Sequence, residues 1–509
     1  MANFESNESP KKRPRMRRRT VVSQSKIDNL NIPLDEDIFR RLGRLAEDAG
    51  YRIYLVGGYV RDHFLKRPNT DIDCSVIGDS IDFAKRAAER FNSKAVLYEK
   101  FRTALVPVGE YKIEFVGTRK EEYLPDSRKP IVTVGTLEDD LRRRDFTVNA
   151  MAVSLNEDNF GEVIDLFGGL RDLDAKLLRT PLDPVETYSD DPLRMMRAAR
   201  FAAQLGFTVD PPSFDAIGRM AERIKIVSQE RVTDEMLKIL ESPNPAHGFR
   251  ILHASGLLKY IFPELEELAG VDIVQEDSKT FGHKDVFNHT LQVLENVAGR
   301  SDNLWLRFAA LVHDIAKPRT KKYVPGTGWT FHGHEELGAR YMKKLFRKMK
   351  LPMEHLPYVE KLVRLHQRPM ALVDEGVTDS AVRRLAVAAD DALDDLFLLC
   401  RSDITTGNPR LTEQYMNNYE IVWHKVLEVQ EKDRLRAFQS PVRGDEIMEV
   451  LGIEPSRIVG AIKSEIEEAI LDGVIPNEYD PAREYFMSHK DEWLEKYRME
   501  FKNFRKNRN

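Results

Sequence analysis

The chain has 509 residues, enough for roughly three to four domains of about 150 residues each. Its 78 basic and 83 acidic side chains leave a net charge of −5, which excludes a polycation, and 42% hydrophobic residues exclude wholesale disorder. Two cysteines, Cys74 and Cys400, exclude a disulfide framework or a cysteine-based zinc site, and no run approaches the roughly 18 apolar residues of a membrane span.

Residues 1–25 carry Lys11, Lys12, Arg13, Arg15, Arg17, Arg18 and Arg19 against Glu5 and Glu8, a charge of +5, so the remainder carries −10. A basic run with proline and no apolar periodicity reads as a disordered arm, either a nucleic-acid tether or a solvated tail. No apolar run follows it, so no secretory signal is expected, and a multi-domain protein of the cytoplasm is. In 26–50 the apolar positions Ile38, Leu42, Leu45 and Ala46 recur at helical spacing. A strand is expected over 51–56, then a Gly57-Gly58 turn and a helix from about Val60. Further strands are expected over 72–77, 95–97, 104–108 and 112–116, with a helix between the first two. From Pro192 helical periodicity runs to Leu427, with loop-rich breaks around 181–188, 271–281, 325–329 and 440–443. The stretch 459–471 is amphipathic. The end from Lys496 interleaves six basic residues and one acid with Tyr497, Phe501 and Phe504, and reads as a docked terminal helix. The fold class is α+β, a small sheet-bearing head followed by an all-helical body. The expected divisions are an arm over 1–25, a head over 26–180, a helical neck over 181–275, a metal-binding helical domain over 276–410 and a helical tail over 411–509.

Chemistry-bearing residues fall into three constellations. In the first, Gly57-Gly58-Tyr59-Val60-Arg61-Asp62 leaves a strand and opens a helix, and Asp71-Ile72-Asp73 begins the next strand. Residues i and i+2 of a strand share a face, so Asp71 and Asp73 project together, with Glu114 as the best third carboxylate. Their mutual repulsion calls for a divalent cation, and Mg2+ held by few carboxylates keeps positions for triphosphate oxygens. The Gly57 and Gly58 amides at a helix start, with Arg61, suit phosphates. The joint motif resembles the nucleotidyltransferase superfamily that includes DNA polymerase beta-like enzymes, which implies a head with a mixed sheet.

The second constellation runs from Arg142-Arg143-Arg144-Asp145-Phe146-Thr147-Val148-Asn149 through Ile164-Asp165-Leu166-Phe167-Gly168-Gly169 with Asp172. It continues into Asp190-Asp191-Pro192-Leu193-Arg194-Met195-Met196-Arg197-Ala198-Ala199-Arg200. With Glu230-Arg231-Val232, Glu235 and Leu240, the set resembles the class II tRNA nucleotidyltransferases, the CCA-adding enzymes and their bacterial poly(A) polymerase relatives. Pro192 after two aspartates is a sound helix start, and Asp191 and Arg194 would lie about 60° apart on that helix. A carboxylate accepting from an exocyclic amine beside a guanidinium donating to a ring nitrogen matches cytosine and adenine and mispairs guanine and uracil. The resemblance implies that role for Asp191 and Arg194, nucleotide binding for Arg144, Arg197 and Arg200, CTP and ATP as substrates and tRNA as partner. Ideal helix geometry turns Arg200 about 180° from Asp191, so phosphate contact or a bracing role suits it better than the base edge. The family's usual glutamate before the aspartate is here Asp190.

The third constellation is His289, His313, Asp314, His334, His366 and Asp403. Within it His313-Asp314-Ile315-Ala316-Lys317 resembles the HD phosphohydrolase superfamily. Adjacent ligands on one helix joined by imidazoles from others can enclose one or two divalent transition metals, with His332 and His283 as alternatives to His334 and His289. A polar network inside a helical bundle would use the same residues. The resemblance implies hydrolysis at 2′,3′-cyclic or 3′-phosphate RNA ends and a tail that binds the tRNA elbow by shape. Within the family the alternatives are CC-only, A-only or poly(A) addition, which differ in head loops such as 98–103 and 121–129. From another class the alternative is a chain that is mainly an HD phosphohydrolase. Neither a membrane nor an obligate protein partner is expected.

Overall fold

The computed structural model describes residues 30–34, 37–122, 131–270, 273–276, 279–282, 285–324, 328–373, 378–433 and 440–506. The basic arm expected over 1–25 and most of the 121–129 loop lie outside the described residues, as does His283. Among the described residues no helix is long and apolar enough to cross a membrane. The chain divides into two compact units, one of Met1–Asp190 with Thr208–Ser213 and the other of Asp191–Phe207 with Phe214–Asn509.

The first unit is built on a seven-stranded sheet. Helix α1 (Asp37–Ala49) presents Ile38, Phe39, Leu42 and Ala46 as the apolar stripe that its sequence spacing requires. Then come β1 (Arg52–Val56), α2 (Gly58–Leu65), β2 (Asp71–Ile77), α3 (Ser80–Arg90), β3 (Val96–Tyr98), β4 (Thr103–Val108) and β5 (Tyr111–Gly117). Asp79 starts α3 by accepting from the Ile81 and Asp82 amides, and Phe83 of α3 packs edge-on against Phe115 of β5 with centroids 5.3 Å apart. A β6–β7 hairpin (Arg119–Glu122 with Ile131–Val134) and α4 (Leu137–Arg142) lead to β8 (Ala152–Ser154) and β9 (Val163–Ile164). The order is β3-β4-β5-β2-β1-β8-β9, with β2–β5 parallel and the other pairs antiparallel. The sheet is mixed, as the resemblance implied. Strands β8 and β9 were not expected, because three and two residues are too few for an alternation to register. The unit closes with α5 (Gly169–Asp174), a short parallel pair β10–β11 (Leu177–Leu178 with Thr208–Val209) and α6 (Pro184–Asp190). Helix α6 corrects the loop expected over 181–188. Asp183 accepts from the Val185 and Glu186 amides and Pro184 pre-sets the first turn, so most of that stretch is helical.

Among its described residues the second unit's regular structure is helical apart from two hairpins. It contains α7 (Leu193–Leu205), α8 (Pro211–Met220), α9 (Gln229–Glu241), α10 (Pro245–Ala254), α11 (Leu258–Ile261) and α12 (Pro263–Glu266). Hairpins β12–β13 (Ile273–Glu276 with Lys279–Gly282) and β14–β15 (Lys322–Val324 with Gly328–Thr330) occupy two stretches expected as plain loops. Between and after them lie α13 (Val286–Ala298), α14 (Leu304–Val312), α15 (Lys317–Thr320), α16 (His334–Met349), α17 (Leu356–Leu365), α18 (Asp379–Ala389), α19 (Leu393–Ser402) and α20 (Pro409–Asp433). The last three helices, α21 (Gly444–Leu451), α22 (Arg457–Leu471) and α23 (Tyr479–Lys506), enclose Val442, Ile447, Ile462, Ile466, Phe486 and Trp493. Tyr497 packs against that core, so the terminal helix is docked, while the side chains of Phe501 and Phe504 lie outside the described residues.

Candidate catalytic and metal-binding sites

In the first unit, the parallel register of β2 on β5 sets Asp73 directly beside Glu114 and Asp71 beside Lys112. Paired residues on neighbouring strands share a face, so the three carboxylates Asp71, Asp73 and Glu114 line one side of the sheet. Gly57, at the end of β1, has φ 73° and ψ −135°, and a Cβ built there would lie 2.9 Å from Arg144 Nη1 and 3.0 Å from Asp73 Oδ2. The turn is therefore wedged between a guanidinium and a carboxylate, and only glycine fits it. Gly58 opens α2 at the same point.

Arg144 is held there by a residue that the sequence reading passed over. Asp140 is fully buried, accepts from Ser75 Oγ of β2 at 3.2 Å and from Arg143 Nε at 3.0 Å, and meets Arg144 Nη2 at 3.3 Å. Burial pushes the Asp140 carboxyl up, but Arg144 and Arg143 outweigh it and hold the group below the usual range. The signal was legible as an acid three and four residues before two arginines that follow a short helix. Arg61, expected beside the phosphates, also lies at this turn, with Nη2 3.6 Å from a Cβ built on Gly58. Its guanidinium is buried, donating from Nε and Nη2 to Asp62 at 2.9 Å each and from Nη1 to Asn149 at 2.8 Å. Asn149 in turn donates to Asp145 at 3.0 Å, and Asn69 links Asp62 to the Asp71 amide. Arg61 is thus held at the glycine turn by Asp62 and Asn149. Asp165 caps α5 through the Gly169 and Leu170 amides, and Asp172 ties Thr147 to Arg179.

In the second unit, α7 begins at Leu193 with Pro192 as its cap. Asp191 lies just before the helix instead of on it, which corrects the 60° argument. Its Oδ1 accepts from the Leu193 amide at 3.2 Å and its carbonyl from the Arg194 amide at 3.0 Å, so the two residues are locked together at the helix start. Arg231 of α9 approaches Asp191 Oδ2 at 3.3 Å, a partner that the sequence showed only as part of a motif. Arg200 is buried against Glu235, with Nε–Oε2 at 3.2 Å, and Arg197 and Lys238 reach the same carboxylate at 3.9 Å. This pairing fastens Arg200 to α9 of its own unit.

The six residues of the third constellation converge, although they come from five separate helix ends. His289 lies on α13, His313 and Asp314 follow α14, His334 opens α16, His366 follows α17 and Asp403 follows α19. They form two triads, His289–His313–Asp403 and Asp314–His334–His366, each with donor atoms within 4.8 Å of one another. The Nδ1 atoms of His313, His334 and His366 sit 2.8 Å from the carbonyl oxygens of Ala310, Phe331 and Val363. A carbonyl only accepts, so each Nδ1 carries a proton and Nε2 is the ring atom that each histidine turns inward. His334 Nε2 and His366 Nε2 face each other at 3.3 Å, a repulsive pair unless a cation lies near. His289 Nε2 lies 2.8 Å from Asp403 Oδ1, and Asp314 directs Oδ2 at His313 (3.1 Å) and Oδ1 at His334 (3.2 Å). Asp314 Oδ1, His313 Nε2 and Asp403 Oδ1 are buried without a hydrogen-bond partner, while Asp314 Oδ2 has the Lys317 ammonium at 2.7 Å. Burial pushes His313 down, yet Asp314 and Asp403 raise it to about 10, whereas burial holds His366 at about 4. The centre draws positive charge, and its donor set fits a divalent transition metal. Beside it lies a cavity of about 930 Å3 lined by Lys317, Trp329, Phe331, Tyr415 and Tyr419. His332 is exposed, so it is not the alternative ligand.

These sites coincide with what the chain is similar to. The Poly A polymerase head domain matches residues 53–179, the probable RNA- and SrmB-binding site of polymerase A matches 206–268, and the HD domain matches 286–394. An A-adding tRNA nucleotidyltransferase of Deinococcus radiodurans is 33% identical, covering 82% of this chain and 90% of that protein. A multifunctional CCA protein of Methylococcus capsulatus is 34% identical, covering 69% of this chain and 81% of that one. An apo CCA-adding enzyme shares the fold with a TM-score of 0.59 at 23% identity, covering 89% of this chain and 93% of that one. The Thermotoga maritima CCA-adding enzyme complexed with tRNA shares it with a TM-score of 0.56 at 21% identity, covering 91% and 98%. With the carboxylate-bearing head, the aspartate–arginine helix start and the histidine–aspartate domain all accounted for, the chain belongs to the tRNA nucleotidyltransferase family that carries the poly(A) polymerase head.

Proposed function

We propose that the protein adds CMP and AMP, taken from CTP and ATP, to the 3′ end of tRNA until the CCA tail is complete. The observation that carries this reading is the register that sets Asp73 beside Glu114, two residues from Asp71, against the Gly57 turn. Asp71 and Asp73, with Glu114, would hold Mg2+, and the ion when bound supplies a Lewis acid for the 3′ hydroxyl and the triphosphate. Arg144 and the Gly57 and Gly58 amides then meet the phosphates, with Arg144 kept in place by Asp140. The 3′ oxygen attacks the α-phosphorus and pyrophosphate leaves. Asp191 accepts the exocyclic amine of cytosine or adenine while Arg194 donates to the ring nitrogen, and Arg231 steadies the Asp191 carboxylate. Arg197 and Arg200 serve through Glu235, which couples the base-selecting helix to α9. Incorporation of labelled CMP and AMP into a tRNA transcript lacking its tail tests this, with Asp71→Ala expected to abolish it.

The division of the chain at about 180, 275 and 410, and a tail that meets the tRNA elbow, belong to the same proposal. So does a cytoplasmic setting, which two buried free thiols suit. For the helical centre, His289, His313, Asp314, His334, His366 and Asp403 would hold a divalent transition metal, which when bound supplies an activated water. The activity would be hydrolysis of 2′,3′-cyclic or 3′-phosphate RNA ends, cleaning them for extension. Protein that contains no divalent metal and leaves such ends intact would remove this part. A-only addition is the second reading, favoured by the name of the Deinococcus radiodurans relative.

A further inference from the structure

Helix α16 carries a charge pattern that neither the polymerase head nor the metal centre uses. Between Leu337 and Met353 there is no acidic residue, but Arg340, Lys343, Lys344, Arg347, Lys348 and Lys350 are all present. The opposite face of the helix is its packing face, through Gly338, Ala339, Met342, Leu345, Phe346 and Met349, so every one of these cations points to solvent. Arg340 is satisfied by Glu336 and Lys348 by Glu264. Among the described residues, no carboxylate ion pair engages Lys343, Lys344, Arg347 or Lys350. Cations in the last turn of a helix complement its dipole, which accounts for Arg347 and Lys348. It does not account for Lys343 and Lys344, a turn earlier, nor for Lys350, which lies past the helix end. On α22, by contrast, Lys463 pairs with Glu467 one turn on. A one-sign stripe in a chain whose net charge is −5 is unlike its surroundings.

The stripe also has an address. The carbonyl of Met349 accepts from the buried Thr233 hydroxyl, so the C-terminal end of α16 is fastened to α9. That contact lies two residues from Arg231, the partner of Asp191. The basic face therefore starts at the base-selecting helix pair and runs away from it for about 10 Å from Lys350 back to Lys343, at 1.5 Å per residue. We propose that this face of α16 binds the phosphate backbone of the tRNA being extended. Lysines and arginines without carboxylate partners release counterions from an RNA backbone on contact, and duplex RNA is read largely by backbone and shape. The inference rests on the tRNA reading given above, and it adds a surface in the histidine–aspartate domain to the substrate's docking site.

The test uses the full chain with Lys343→Gln, Lys344→Gln and Arg347→Gln combined, a set of exposed residues outside both catalytic machineries. Anisotropy of a labelled tRNA transcript lacking its tail, titrated from about 50 to 200 mM salt, gives affinity and salt slope. The triple variant should bind roughly tenfold more weakly at the lower salt, with a log–log slope shallower by about two to three. Its kcat at saturating tRNA and its KM for CTP should stay at the wild-type values. The corresponding lysine-to-arginine changes at 343 and 344 should keep wild-type binding. Equal affinity and slope in variant and wild type would overturn the inference and leave α16 for an acidic protein partner instead. Failure of wild-type protein to bind tRNA at all would overturn it by removing the reading on which it rests.

Discussion

Asp140 shows how much of a site can depend on a residue that touches no substrate. Its carboxylate is shared by Ser75, Arg143 and Arg144, and Arg144 is the guanidinium that crowds the Gly57 turn. Asp140→Ala should lower kcat/KM for CTP by about 10- to 100-fold, mainly through a higher KM, because Arg144 loses its anchor. A variant with wild-type KM would show that Arg144 is placed by something else. At the Gly57 turn the steric argument is stricter, since a methyl group there meets Arg144 and Asp73 and the backbone is left-handed. Gly57→Ala should therefore reduce incorporation more than Gly58→Ala, whose added methyl would find its nearest neighbours at 3.6 and 3.7 Å. Asp191→Ala removes the proposed acceptor for an exocyclic amine. Discrimination of CTP and ATP against UTP and GTP should fall by about 1–3 kcal/mol in competitive incorporation assays. Unchanged discrimination would move base selection to other groups.

At the scale of elements, the neck is tied by a buried charge cluster rather than by apolar packing alone. Glu235 on α9 receives Arg200 and Arg197 from α7 and Lys238 from its own helix. Glu235→Gln leaves Arg200 buried without its countercharge and should cost roughly 3 kcal/mol in urea unfolding of the neck transition. The same elements show what the sequence could and could not reveal. Asp71 and Asp73 were legible because strand alternation is local, and Glu114 because its strand was bounded correctly. The register that brings Glu114 beside Asp73 spans about forty residues and is set by the α3–β3–β4 crossover, which no local pattern encodes. Helix α6 was missed although Asp183-Pro184 is a legible start, because its seven residues hold too little apolar periodicity. The Arg61 contact with its neighbour Asp62 is local, whereas the one with Asn149 joins residues 88 apart in the chain and had no local signal.

Across the whole molecule, the six histidine and aspartate donors were named from the sequence, but their convergence was not readable there. They span residues 289 to 403, and only the tertiary fold turns five helix ends toward one point. Their chemistry is self-contained within that stretch, so the two proposed activities should separate. His313→Ala should remove bound metal, measured by elemental analysis, together with hydrolysis of 2′,3′-cyclic ends. Nucleotide addition to a tRNA with a free 3′ hydroxyl should stay within about twofold of wild type, because the donors of the two sites come from separate stretches of the chain. Loss of both activities would mean that the metal centre supports the fold of the polymerase as well.

The most direct measurement follows three transcripts, ending before the tail, after the first C and after CC. Each is incubated with CTP alone, ATP alone and both, with product lengths resolved on a sequencing gel. The account predicts that CTP alone extends the first two to CC, that ATP alone extends only the third by one A, and that both nucleotides together carry all three to CCA and stop. Growth by A alone on the third transcript, with no C added to the first two, would contradict it and make the protein an A-adding enzyme.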